Sequence, residues 1–291
     1  MIDFLTAFRE SLAAEEASPN TIESYLLDLQ AFAQWFHTTN GEELTLQGIT
    51  PTDVRDYRQY LLTVARAKPA TVNRHLAAIR KLCRWAKGLG LISENPAEEV
   101  KGIERVRMAP KALSKREVDR LTRFAEREGN KRDLAIIQVL RHTGIRVGEL
   151  VALRLSDLEI GERKGKLTVR WGKGGRYREV PLNNDARKAL AAYLAVRPQV
   201  TDDHIFIGQR DNGLTVSAVQ DVVEKYARLA GLDGVTPHVL RHTFGKQTLD
   251  AGENLVTVAT LMGHSRLDTT AIYTQPNQQD LERAVEKLAT E

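Results

Sequence analysis

Six residues of this 291-residue sequence combine a reactive side chain with distinctive neighbours. They are Arg146 in Thr143-Gly-Ile-Arg-Val-Gly-Glu-Leu150, Lys173 in Gly172-Lys-Gly-Gly175, and His238 with Arg241 in Pro237-His-Val-Leu-Arg-His242. His264 in Met262-Gly-His-Ser265 and Tyr273, nine residues further on, complete the set. Each alone has an ordinary reading. Arg146 could be a surface arginine, Lys173 a solvated turn lysine, and His238 with Arg241 a satisfied pair at a helix start. His264 could be a cap, and Tyr273 a core residue of an amphipathic helix. Together they are fixed donors and a phenol, the equipment for nucleophilic attack on a centre whose oxygens gather negative charge.

Taken in order, with local context that includes His238-Val-Leu-Arg-His-Thr-Phe244 and Leu261-Met-Gly-His-Ser265 followed by Thr269-Thr-Ala-Ile-Tyr-Thr274, the set resembles the tyrosine recombinase and phage integrase family. The resemblance extends over essentially the whole chain, because the basic helical first part looks like that family's core-binding domain. It implies a site-specific DNA recombinase that cleaves and rejoins DNA through a 3′-phosphotyrosyl intermediate and exchanges strands via a Holliday junction. It also implies a double-stranded recombination site as partner, and a homo-tetramer, or a hetero-tetramer with a related recombinase, on that DNA. By the same resemblance Tyr273 is the nucleophile, His238 the proton acceptor, His264 a hydrogen-bond donor to the phosphate, and Lys173 the group that protonates the departing 5′ oxygen. Leu155 stands where many relatives carry tryptophan, a difference of packing. No further domain is expected before the core-binding region, so an Xer-like or transposon-type enzyme is expected rather than one that binds arm sites. A DNA-binding regulator that kept the fold without cleaving, and a type IB topoisomerase, are the competing readings.

The residue types suit the chemistry on their own account. Guanidinium groups stay charged and offer a planar fork to phosphate oxygens, so Arg146 and Arg241 are the expected clamp. The helix start at Thr236-Pro237 adds free N–H groups and the positive end of a helix dipole, and His238 and Arg241 are three apart there. A phenol with a pKa of about 10 is short of phenolate at neutral pH by roughly 4 kcal/mol, which a base or surrounding cations must offset. Glu149, three residues after Arg146, is expected to orient that arginine on a shared helical face. No carboxylate cluster with nearby histidines suggests a divalent-metal nuclease, and no phosphate-binding Gly-x-x-x-x-Gly-Lys-Ser/Thr loop is present. Neither metal nor other cofactor is expected, since a phosphotyrosyl link conserves the energy of the broken bond.

Elements at several places in the chain must position these groups. Pro19, Pro51 and Pro69 open helices over 20–37, 51–63 and 70–88. On the third, Val72, Leu76, Ile79, Leu82, Cys83 and Ala86 share one side at ~100° per residue, while Arg74, Arg80, Lys81, Arg84 and Lys87 occupy the remaining arc. Residues 57–93 hold eight bases and no acid, against ten acids and two bases in residues 1–56. Such a run suits a DNA backbone, or else is simply a solvated face. A linker is placed at 103–112, between an α-helical core-binding domain, 1–102, and a catalytic domain, 113–291. Ser114 and Glu117 form a capping box at the start of the latter.

In the catalytic domain, helices are expected near 115–128, 131–143, 147–153, 184–196, 216–230, 237–250, 254–262 and 266–274. Two extended runs, Lys166–Trp171 and Arg176–Leu182, flank Lys173 as a hairpin. The fold class is therefore mainly α with a small antiparallel β-sheet (α+β), arranged as a two-domain DNA clamp. A last amphipathic helix, 278–289, is too short to stand alone and is expected to dock on a neighbouring protomer or on its own domain. At 42% hydrophobic and 27% charged residues the composition is that of an ordinary globular protein. The lone cysteine, Cys83, excludes an internal disulfide and a thiolate zinc cluster. A cytoplasmic protein without a membrane span is expected.

Overall fold

Proline and a short-side-chain cap open several of the helices that matter here. Ser18, Thr50 and Thr236 each accept a hydrogen bond from a backbone N–H of the first turn, and Pro19, Pro51 and Pro237 follow at the helix start, where a missing N–H costs nothing. The computed structural model describes residues 3–104, 110–170, 177–264 and 268–271. The chain divides into two units, Met1–Arg107 and Met108–Glu291. Residues 105–109 of the expected linker lie outside the described residues.

The first unit contains α1 (Asp3–Ala14), α2 (Pro19–Asn40), α3 (Pro51–Thr63) and α4 (Pro69–Gly88). Helices α2, α3 and α4 pack on one another, and α1 packs on α2. Their apolar stripes meet in a core that includes Phe8, Leu29, Phe32, Tyr57, Leu76, Ile79 and Leu82. The apolar side expected of α4 is buried throughout. Burial pushes the Cys83 thiol up to about 12, so it is an inert core residue. His75 is buried on the same side, where helical periodicity places it between Val72 and Ile79 although its polar ring was not counted with the apolar set. Its Nε2 lies 3.2 Å from the Asp28 carboxylate and its Nδ1 3.1 Å from the Tyr57 hydroxyl.

The second unit places α6 (Lys131–Thr143) at its centre, packed against α5 (Lys115–Arg127), α8 (Asn184–Leu194), α9 (Val216–Leu229) and α10 (Pro237–Asp250). The helix is buried along most of its length, from Ala135 through Leu140. The short α7 (Val147–Ala152) follows it. Strands β1 (Leu158–Ile160), β2 (Gly165–Val169) and β3 (Arg178–Pro181) form an antiparallel sheet in that order, with Leu167 opposite Val180 and Val169 opposite Arg178. Alternation puts Leu167, Val169 and Val180 into the core. Strand β1 is too short, at three residues, to show that alternation in the sequence. Lys173 and Trp171 lie outside the described residues.

Helix α11 (Leu255–Met262) and the four-residue α12 (Asp268–Ala271) are the last elements among the described residues. Val258 and Met262 of α11 make a small cluster with Phe244 and Leu249, separate from the main core. Residues 272–291, which include Tyr273 and the expected helix 278–289, lie outside the described residues. No helix among the described residues is long and apolar enough to cross a membrane.

Gly144 ends α6 in the left-handed region, at φ +60°, and a Cβ there would sit 2.3 Å from Cδ1 of Phe244. Both the turn and the close approach require glycine. Gly144→Ala should therefore destabilise this unit by about 1–3 kcal/mol, read as a lower urea midpoint with an unchanged slope.

Candidate active site

The site is assembled on the carbonyl ends of two helices. At the end of α11, Gly263 turns left-handed at φ +66° and the His264 N–H bonds back to the Ala259 carbonyl at 3.0 Å, a Schellman closure. The three consecutive carbonyls of Leu261, Met262 and Gly263 each receive a guanidinium. Arg178 donates its Nε to Leu261 (3.2 Å), Arg241 its Nη2 to Met262 (2.8 Å), and Arg146 its Nη2 to Gly263 (3.2 Å). Arg241 also donates to the carbonyl of Gly144, at the end of α6. Carbonyls that a helix terminus leaves unpaired, at the negative end of its dipole, are natural partners for cations.

Glu149 joins the same network. Its Oε1 accepts from Arg146 Nη1 at 3.0 Å and from Arg178 Nη1 at 3.0 Å; its Oε2 accepts from Arg178 Nη2 at 2.7 Å and from the Arg146 backbone N–H at 2.8 Å. Arg146 is the residue that caps α7 and Glu149 sits in its first turn, so the two meet through a capping geometry rather than along one helical face. Burial alone would raise the Glu149 carboxyl; the hydrogen bonds from Arg178 and Arg146 and their charges outweigh it and hold it below the usual carboxylate range.

Arg241 is buried at 4% exposure, one turn into α10, whereas His238 in the first turn of that helix is exposed. His264 places its Nδ1 2.7 Å from the hydroxyl of Thr270, which is itself fully buried. Burial, followed by the charges of Arg241 and Arg146, lowers the His264 imidazole from 6.5 to about 4. It is therefore neutral at physiological pH, through burial first and the same arginines second. His242 is lowered too, by burial and then by His238 and Arg241. The structure thus brings Arg146, Glu149, Arg241 and His264 together, and adds Arg178 and Thr270, which sequence reasoning missed. The signal for Arg178 was weak: one arginine in a strand, whose carboxylate partner stands 29 residues earlier.

Comparison with known proteins decides what this arrangement belongs to. Residues 111–280 match the phage integrase family, and residues 5–89 match the phage integrase N-terminal SAM-like domain. This chain belongs to the phage integrase family. It is a tyrosine-type site-specific recombinase. The tyrosine recombinase XerC of Roseiflexus castenholzii is 34% identical over 96% of this chain and 90% of its own length. A tyrosine recombinase XerD of Ralstonia nicotianae is 31% identical over 88% and 83%. Among solved structures, the XerH site-specific recombinase bound to its difH substrate shares the fold at a TM-score of 0.74, with 23% identity over 98% of this chain and 84% of that one. A lambda integrase tetramer bound to a Holliday junction does so at 0.70, with 19% identity over 91% and 77%.

Elsewhere in the recombinase, the basic arc of α4 is partly committed within its own unit. Arg80 donates to the Ala97 and Val100 carbonyls at 3.1 and 2.8 Å and so anchors the segment after α4. Arg74 pairs with the buried Asp28 at 2.8 Å, Lys81 with Glu15 at 2.6 Å, and Arg84 with Glu98 at 3.5 Å. Lys87 is exposed and has no ion pair among the described residues. The expectation that no carboxylates gather near a histidine needs amending, because Asp202, Asp203 and His204 form such a group. Its oxygens are engaged locally: Asp202 accepts from the N–H groups of His204 and Gly213, and Asp203 pairs with Arg154.

His142, on α6, is lowered like His264 to about 4, by burial first and then by Arg141. Both take up a proton in the unfolded chain near 6.5 but resist it when folded. Their contribution to stability is complete above 6.5 and is lost as pH falls through 4. Urea midpoints should drop between about pH 7 and about pH 4, and His142→Gln should lessen that drop.

Proposed function

We propose that Tyr273 attacks a scissile phosphate in a double-stranded recombination site held against the Arg146, Arg241 and His264 cluster. The phenolic oxygen forms a bond to phosphorus, and the bond from phosphorus to the 5′ oxygen breaks, leaving a 3′-phosphotyrosyl link. The phenolic proton passes to His238, and Lys173 protonates the departing oxygen. The free 5′ hydroxyl of a partner strand then reverses the step, so two rounds exchange both strand pairs through a four-way junction. These four roles are those that the family resemblance implies for the matching residues.

One observation carries the reading: the Arg146 and Arg241 guanidinium groups are anchored on the consecutive carbonyls of Gly263 and Met262, directly beside His264, which precedes Tyr273 by nine residues. Cations fixed in advance can meet charge as it develops on the non-bridging oxygens without reorganising. In this reading the Thr270 hydroxyl, 2.7 Å away, donates to Nδ1 of the neutral His264, which then carries its proton on Nε2 and offers it as a hydrogen bond to a phosphate oxygen. Neither metal nor nucleotide enters this scheme.

The working assembly is a tetramer on two duplexes, of this chain alone or with a related recombinase, with segment 278–289 docked on the neighbouring protomer. It acts in the cytoplasm. In the first unit, Lys87, Arg84 and Arg74 contact the DNA backbone, with Lys81 beside them; Arg80 acts mainly by holding the 97–100 segment.

A nicked duplex that loses the short strand after cleavage should trap wild-type protein as a covalent adduct. Tyr273→Phe should give none, and an adduct persisting in that variant would remove Tyr273 from its role. Arg146→Ala and Arg241→Ala should each slow adduct formation by roughly 10²–10³. Lys87→Gln should weaken binding to all duplexes alike and reduce the slope of log K against log salt by about 0.9, whereas Arg80→Gln should chiefly lower the stability of its unit.

A further inference from the structure

Arg178 stands at the start of β3, next to the segment that carries Lys173, and is more deeply enclosed than Arg146: its side chain is 17% exposed against 44%. Both prongs of its fork grip Glu149, its Nε grips Leu261, and a Cβ on Gly263 would sit 2.5 Å from its Nη1. Glycine at 263 therefore makes room for this guanidinium as well as for the turn.

We propose that Arg178 is a positioning residue for cleavage, holding the Glu149 carboxylate so that Arg146 stays turned toward the scissile phosphate. The inference rests on Arg146 being a phosphate clamp. A carboxylate offers about four acceptor sites. Arg178 takes one on each oxygen and the Arg146 backbone N–H takes another, so the Arg146 side chain gives Glu149 a single hydrogen bond. Without Arg178, a buried anion would be left with Arg146 as its one guanidinium partner. Buried carboxylates are stabilised best by a two-pronged pair, and Arg146 would swing into that pairing, away from the phosphate. Lysine at 178 would return the charge without the fork or the Nε bond.

The test uses the full-length chain and a nicked duplex whose site is selected by wild-type protein from random-sequence DNA. The reading is the single-turnover rate constant for adduct formation, which an unfolded fraction does not alter because it lowers only the amplitude. Arg178→Ala should slow that step by about 10- to 100-fold, the scale of a misplaced clamp, while DNA affinity stays within about threefold. Arg178→Lys should fall between. Glu149→Gln added to Arg178→Ala removes the charge that captures Arg146 and should restore the rate by about tenfold.

A double variant no faster than Arg178→Ala overturns the inference. So does a 5′-bridging phosphorothiolate duplex that returns Arg178→Ala to the wild-type rate, because a thiolate leaves without a proton and the defect would then lie with the leaving group. If Arg146→Ala cleaves normally, the clamp reading itself falls, a result distinguishable from both.

Discussion

The candidate site of the second unit depends on three guanidinium groups bonding the carbonyl end of one eight-residue helix. Cations set side by side repel one another, and what permits their grouping is an array of oriented carbonyl dipoles with a single buried carboxylate, Glu149, among them. The arginines come from the cap of α7, from β3 and from α10, so one helix terminus ties together parts of the chain more than a hundred residues apart. Burial first, and then the same positive field, keep His264 neutral, which turns an apparently ionisable residue into a fixed dipole. The fold thus solves in advance the problem of keeping cations close together.

The elements were legible where local chemistry fixes them. Proline with a cap marked the starts of α2, α3 and α10, and Ser114 with Glu117 made the capping box that opens α5. Period-two alternation marked β2, and the 3.6-residue period gave the buried side of α4. The small sheet was foreseen except for β1, whose three residues cannot display a period. Of the candidate site, Arg146, Glu149, Arg241 and His264 were legible as a list of residues, and the structure brings these four together. What could not be read was how they are held. Arg178 and Thr270 enter through contacts between distant segments, and nothing in their own neighbourhoods distinguishes them from a strand arginine and a helix threonine.

The first unit teaches the opposite lesson about charge. Its acid-free run from 57 to 93 suggested an open basic face, but in three dimensions several of those bases answer acids from elsewhere in the unit: Arg74 meets Asp28, Lys81 meets Glu15 and Arg84 meets Glu98. Arg80 uses two of its donors on backbone carbonyls. A count of charges along a sequence measures supply, while the field presented to a polyanion depends on what folding leaves uncompensated.

The small apolar cluster beneath α11 has an energetic consequence. Among the described residues Val258 and Met262 pack with Phe244 and Leu249 and not with the main core, and polar bonds from three arginines hold the end of the helix. Its detachment therefore exposes far less oil to water than global unfolding does, and it belongs to the low end of the unit's ladder of opening reactions. Opening of that kind would undo the arginine array while the body of the unit remains native, which separates the lifetime of the array from the lifetime of the fold.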